Sequence, residues 1–205
     1  MNEPATVRIA RPSEKDAVAA VLHDAFIDED GLNYWLRQGA GKERARRRFF
    51  HASVRDAIHP NRELWLAEAD GEPLGAAIWL RPGDKAFDHT PLQQVLMLPL
   101  LHAVAGFDGL ERARGLGARL SAHHPREPHA HLAFLGVATA AQGRGVGSAL
   151  LKAALAPIDA TGVTAYLEAS KPRNVALYQR HGFEVTGEFE LPGVHFWCMT
   201  RTARS

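Results

Sequence analysis

Three glycines at alternate positions, Gly143, Gly145 and Gly147, stand where the segment Leu135-Gly-Val-Ala-Thr-Ala-Ala-Gln142-Gly-Arg-Gly-Val-Gly147-Ser-Ala-Leu-Leu151 passes from strand to helix patterning. A helix N-terminus presents unpaired N–H groups and the positive end of a dipole, and glycines let an anion approach the backbone closely. The chemistry on offer is therefore pyrophosphate binding. Spacing separates the nucleotide classes. A P-loop needs Lys and then Ser or Thr directly after its last glycine, whereas the next lysine is Lys152. The dinucleotide pattern G-x-G-x-x-G begins at Gly143 and Gly145 but meets Ser148 at the third glycine, with no βαβ unit to follow. The spacing that fits is Q-x-x-G-x-G, at Gln142, Gly145 and Gly147.

Other side chains add proton chemistry. In Glu168-Ala-Ser-Lys-Pro-Arg-Asn174-Val-Ala-Leu-Tyr178-Gln-Arg-His-Gly182-Phe183, Asn174 and Tyr178 are four residues apart and share one side of a helix. A phenol with a pKa near ~10 remains a donor at neutral pH. On the preceding strand, period-two alternation puts His129, His131, Ala133 and Leu135 on one face. An imidazole with a pKa near ~6.5 can take a proton from an ammonium group directly or through water, and Glu127 is a second candidate base. His123, His124, His129 and His131 could chelate a cation, but no carboxylate stands at a recognised spacing and there is no H-E-x-x-H, so no metal is expected. The single cysteine, Cys198, excludes an intramolecular disulfide and a Cys-based metal site, and is expected in the last strand, away from these motifs. Arg44, Arg46, Arg47 and Arg48, between Glu43 and Phe49-Phe50, read as a solvated helix face.

Alternating elements are needed to position these groups. A strand over Thr6 to Ala10 precedes a capped helix carrying Val18, Val21, Leu22, Ala25 and Phe26 at helical spacing. Helical stretches follow at Leu32 to Leu36 and about Glu43 to Ile58. Strands at Leu64 to Ala69 and Leu74 to Leu80 are joined by Asp70-Gly71, a tight hairpin turn. Residues 82 to 90 read as a loop, and 91 to 106 and 108 to 122 as two helices around Gly106 that form an insertion. After the strand His129 to Val137 and the glycine turn comes a helix to about Ile158. A strand at 164 to 168, a short helix at 173 to 181 and strands at 183 to 190 and 194 to 200 complete a mixed α/β pattern.

Composition narrows the partners. The 205 residues form one domain by length, and 24 Lys and Arg against 23 Asp and Glu leave no basic excess for a nucleic acid or an anionic membrane. A small-molecule partner is favoured. The longest apolar segment, Val95 to Ala105, is interrupted by Pro99 and His102 and falls short of the ~20 residues of a membrane span. Neither the start, MNEPATVRIA, nor the cysteine usage suggests export, so the expected location is the cytoplasm.

The Q-x-x-G-x-G turn followed by the Asn174/Tyr178 segment resembles the GCN5-related N-acetyltransferase (GNAT) superfamily. RIARPSEKDAVAAVLHDAF, LWLAEADGEPLGAAIWLRPG, LEASKPRNVALYQRHGFEV and the terminal WCMTR are similar to its puromycin N-acetyltransferase branch, from about residue 7 to 201. The resemblance implies one GNAT domain over residues 1–205. Its sheet would be single, mixed and mostly antiparallel, flanked by helices and splayed between the strands ending at Val137 and near Glu168. It implies acetyl-CoA as cosubstrate, held along Leu135, Gly136 and Val137, by the turn Gln142, Gly143, Arg144, Gly145, Val146, Gly147 and Ser148, and by Asn174 and Tyr178. Tyr178 would protonate the departing thiolate, the Leu135 N–H would stabilise the oxyanion, and His131 stands where some relatives carry a catalytic Glu. Phe26, Tyr34, Trp35, His129 and His131 are expected to wall the acceptor. The implied reaction is direct acetyl transfer in a ternary complex to a primary amine of a small molecule, as in antibiotic modification, by a monomer or homodimer. An acyl-CoA sensor with little catalysis and a nucleotide-binding oxidoreductase are the rival classes.

Overall fold

The computed structural model describes residues 5–57, 62–84 and 91–202. Its strands are β1 (Thr6–Ile9), β2 (Arg62–Ala69), β3 (Glu72–Leu80), β4 (Ala130–Val137), β5 (Ala165–Ala169), β6 (Glu184–Leu191) and β7 (Val194–Arg201), and its helices are α1 (Lys15–Ala25), α2 (Asp30–Trp35), α3 (Lys42–Asp56), α4 (Pro91–His123), α5 (Val146–Ala160) and α6 (Pro172–Arg180). The seven strands form one sheet in the order β1-β2-β3-β4-β5-β7-β6, antiparallel throughout except for the parallel pair β4 and β5. The fold is thus the mixed, mostly antiparallel α/β arrangement that the resemblance implies.

Local sequence accounts for most elements. Asp70 and Gly71 adopt φ of 52° and 76°, the left-handed pair that a two-residue hairpin needs, and so set the β2–β3 register. At the chain start Glu14 accepts the backbone N–H of Arg11 and pairs with Arg8 and Arg11, closing a reciprocal cap one turn before α1. Ser13 lies inside that turn. The two helices expected at 91 to 122 form the single run of α4, broken at Gly106 with φ 69° and ψ −177°. The expected end of the third helix at Ile58, and residues 85–90 of the loop, lie outside the described residues. Among the described residues no helix is long and apolar enough to cross a membrane.

Helices cover both faces of the sheet. On one, Val18, Leu22, Phe50 and Val54 of α1 and α3 bury Leu66, Ala76 and Ile78. On the other, Leu150, Leu151, Ala154 and Leu155 of α5 cover Ala77, Trp79 and Leu132. Each fully buried Leu or Phe side chain contributes roughly 1.5–3 kcal/mol. Arg46, expected on a solvated face, is buried at 5% exposure and bonds to Glu43, while Arg44, Arg47 and Arg48 are exposed. The helix turns Arg46 inward beside buried Ala45, and Glu43 balances its charge.

Two irregularities open the centre of the sheet. Pairing of β4 with β5 runs only from Ala130/Ala165 to Leu132/Leu167, after which the strands separate. Against β3, Leu132 opposes Trp79 and Phe134 opposes Ile78, so Ala133 is an extra residue in a bulge. The bulge reverses the alternation and corrects the expected common face. Leu132 and Leu135 pack toward α5, Phe134 packs toward α1 and α3, and His131 and Leu135 fall on opposite faces.

Candidate active site

A cavity of about 1040 Å³ passes through the gap between β4 and β5. At one end its wall is the glycine turn. Gly143 and Gly145 have φ of 77° and 81°, and Gly145 is the N-cap of α5 without any side-chain cap. The first N–H groups of α5 are therefore left for an anion. Gln142, Gly143, Gly145, Val146, Gly147 and Ser148 all line this end. The Arg144 side chain is exposed and is not part of this wall. The turn is secured from two sides. Asp24 of α1 accepts the N–H of Thr139 at 2.6 Å, and the Gln142 amide donates to the Val137 carbonyl at 3.3 Å.

The middle of the cavity is bounded by Leu132 to Val137 of β4, by Glu168, Ala169 and Ser170, and by Asn174 and Tyr178 of α6. Lys171 begins α6 in extended backbone and Pro172 opens its first turn, which directs Asn174 and Tyr178 to the same wall. Tyr178 is buried, and burial, with the nearby Glu29 carboxylate second, raises its phenol pKa above the usual value. Glu29 caps α2 by accepting the Leu32 N–H at 2.6 Å, and it receives the Ser170 hydroxyl proton in a hydrogen bond. Burial raises its pKa as well.

At the far end the wall is aromatic and aliphatic, with Phe26, Trp35, Phe49, Phe134 and Phe196 beside Leu100, Val104, Leu116 and Leu120. His124, His131 and Glu168 meet here. Glu168 Oε2 is 2.9 Å from His131 Nε2, and Oε1 is 3.3 Å from His124 Nε2. Burial acts to raise the Glu168 pKa, but the two imidazoles outweigh it and hold it at about 2. The three ligand atoms lie within 4.8 Å of one another, close enough to hold a divalent cation. The carboxylate absent from the sequence spacing thus arrives from β5.

Phe26, Trp35 and His131 line the cavity, whereas Tyr34 and His129 do not. Tyr34 packs, together with Trp35, against the cluster of Leu116, Phe189 and Phe196, but does not itself line the cavity. His129 donates from Nδ1 to the Glu127 carbonyl at 2.8 Å and lies outside the wall; burial lowers its pKa. Glu127 is exposed and also outside the wall. Cys198, expected away from the motifs, sits opposite Glu168 in the β5–β7 register. It is 1% exposed and does not reach the cavity, and burial raises its thiol pKa. Glu29 and Glu168 escaped the sequence reading. Glu168 did carry a signal, a charge between Leu167 and Ala169 in an apolar strand.

Residues 29–183 match the model of the Acetyltransferase (GNAT) family. The chain is 30% identical over 203 residues to the mycothiol acetyltransferase of Paenarthrobacter aurescens strain TC1, covering 81% of this chain and 62% of that protein. It therefore spans less than two thirds of that relative. A Corynebacterium glutamicum ATCC 13032 structure described as histone acetyltransferase HPA2 and related acetyltransferase superposes with a TM-score of 0.75 at 24% identity, over 99% of this chain and 98% of that one. The ribosomal-protein-S18-alanine N-acetyltransferase of Escherichia coli gives 0.60 at 13% identity, over 98% and 95%. At these identities the structural likeness is one of fold.

Proposed function

The chain belongs to the acetyltransferase (GNAT) family, and from that premise we propose that it transfers the acetyl group of acetyl-CoA directly to a primary amine of a small molecule, as a single domain. The observation that carries this reading is the continuity of one cavity from the uncapped N-terminus of α5, through the β4–β5 gap, to the His131–Glu168 pair. A pyrophosphate fits the first part, a narrow arm the second and an acceptor the third.

Each step has a group at hand. N–H groups from Gly143 to Ser148 hold the pyrophosphate, and the backbone of Leu135 to Val137, free of β5, pairs with the pantetheine arm. The amine nitrogen attacks the thioester carbon as His131 takes the ammonium proton. The Leu135 N–H stabilises the oxyanion, the carbon–sulfur bond breaks, and Tyr178 gives its proton to the thiolate, with Asn174 orienting the cosubstrate; the second proton that the attacking nitrogen sheds as the amide forms passes through water and restores the Tyr178 phenol. An amine acceptor is supported by the Glu168 carboxylate, which lies in the cavity wall beside His131 and attracts a cation. Direct transfer is supported by the enclosure of Cys198, which leaves that thiol unable to carry an acyl group.

The test is calorimetric titration with acetyl-CoA, using NAD and ATP as controls, then thiol release with puromycin, aminoglycosides, polyamines and aryl amines. Acetyl-CoA binding with turnover of at least one amine is expected. Binding without turnover across a broad panel would instead support the sensor class, and preference for NAD would overturn the reading.

A further inference from the structure

Glu168 is 13% exposed, and its strand neighbours Tyr166, Leu167 and Ala169 are buried. An ionised carboxylate so placed needs partners on both oxygens. It has them in His131 Nε2 at 2.9 Å and His124 Nε2 at 3.3 Å. A carboxylate has no proton to give, so the nitrogen facing it on each ring must carry the hydrogen. Neutral His131 is then the Nε2–H form with its lone pair on Nδ1, which has no hydrogen-bond partner among the described residues.

We propose that Glu168 is a positioning residue that locks His131 in this tautomer and so makes Nδ1 the atom that receives the acceptor's proton. The inference rests on the reading of His131 as the base. In the step, an N–H bond of the ammonium breaks, its electron pair stays on nitrogen for attack, and a new N–H bond forms at Nδ1. The imidazolium that results is balanced by the Glu168 carboxylate, and the proton passes to water after product leaves. Other titratable groups surround the pair. The His124 ring, just past α4, is 4.8 Å from that of His131, the ring of His129, just before β4, is 6.4 Å away and that of Tyr166 on β5 is 5.6 Å away. Cys198 of β7 faces Glu168. Burial raises the pKa of both Tyr166 and Cys198, so both stay uncharged and leave the carboxylate's field unopposed.

An amide at this position distinguishes the arrangement. Glutamine can accept from one imidazole but must donate to the other, which forces one ring into the Nδ1–H form. The test is a long-range proton–nitrogen correlation spectrum of the full chain labelled with ¹⁵N-histidine, with His131 signals assigned by their loss in His131→Asn. The wild-type His131 ring is expected with a proton on Nε2 and a bare Nδ1. In Glu168→Gln, the tautomer mixture should shift, kcat should fall about 100-fold, and acetyl-CoA affinity should be unchanged. A wild-type ring protonated on Nδ1, or a glutamine variant with wild-type tautomers and wild-type kcat, would overturn the proposal. If the variant fails to fold, the wild-type spectrum decides alone. The expected spectrum in a protein that does not bind acetyl-CoA would uphold the tautomer and sink the transferase reading.

Discussion

Tyr178 and Glu168 show how burial gives opposite results for two acids. Burial raises the phenol pKa, so Tyr178 holds its proton across the neutral range and is a donor throughout. Tyr178→Phe should therefore lower kcat about 10-fold to 100-fold while leaving acetyl-CoA affinity within about 2-fold, as measured by steady-state kinetics and titration. For Glu168 the imidazoles overcome burial, and the carboxyl group falls from 4.5 to about 2. A depressed folded-state pKa contributes stability above the ordinary value and loses it as pH falls through the folded one. Thermal melts should thus find Glu168→Gln less stable than wild type at pH 7, with the difference closing between pH 4.5 and 2. The cosubstrate side of the site was legible because its residues lie in two short segments, the glycine turn and the Asn174/Tyr178 helix. Glu168 stands at the start of the second, yet nothing local marks its role, because its partner His131 is 37 residues away in sequence. Glu29 is further still from its partner Ser170, 141 positions away in sequence.

At the scale of elements, hairpins, caps and helical periodicity announce themselves locally, but the bulge at Ala133 does not. Neither Gly nor Pro marks it, and a period-two reading continues through it and assigns the wrong face to Leu135. The glycines on either side of the β4–α5 turn are more informative. A Cβ at Gly136 would lie 2.7 Å from Ala25 Cβ and 3.1 Å from Leu22 Cδ2, so α1 and β4 approach closely only because that residue has no side chain. Gly136→Ala should cost about 1–3 kcal/mol in denaturant melts, the usual range for overpacking. Gly145 differs, since its added Cβ would meet nothing within 4 Å but its φ of 81° disfavours any other residue. Gly145→Ala should cost about 1–2 kcal/mol, reshape the turn and weaken acetyl-CoA binding at least about 10-fold, whereas Gly136→Ala should affect binding only through stability.

The whole molecule is a sheet deliberately left unpaired at its centre. The order β5-β7-β6 comes from contacts across the full C-terminal third and has no local signature, so the position of Cys198 beside Glu168 could not be anticipated from its place in the chain. The β4–β5 ladder stops after three residue pairs, and Leu132 to Val137 border a cavity where another strand would normally lie. An arm that pairs with this edge supplies the missing partners and joins the α5 side of the molecule to the α6 side. Binding should therefore stabilise the folded chain as a unit. At a ligand concentration 100 times Kd the gain is about 2.7 kcal/mol, which for a chain of this size corresponds to about 5–10 °C in Tm. Acetyl-CoA should produce that shift in a thermal melt and slow amide exchange in β4, β5 and the first turn of α5, with NAD and ATP producing neither. Stabilisation without slower exchange along β4 would place the ligand elsewhere on the protein, because a ligand in the gap must cover the β4 edge.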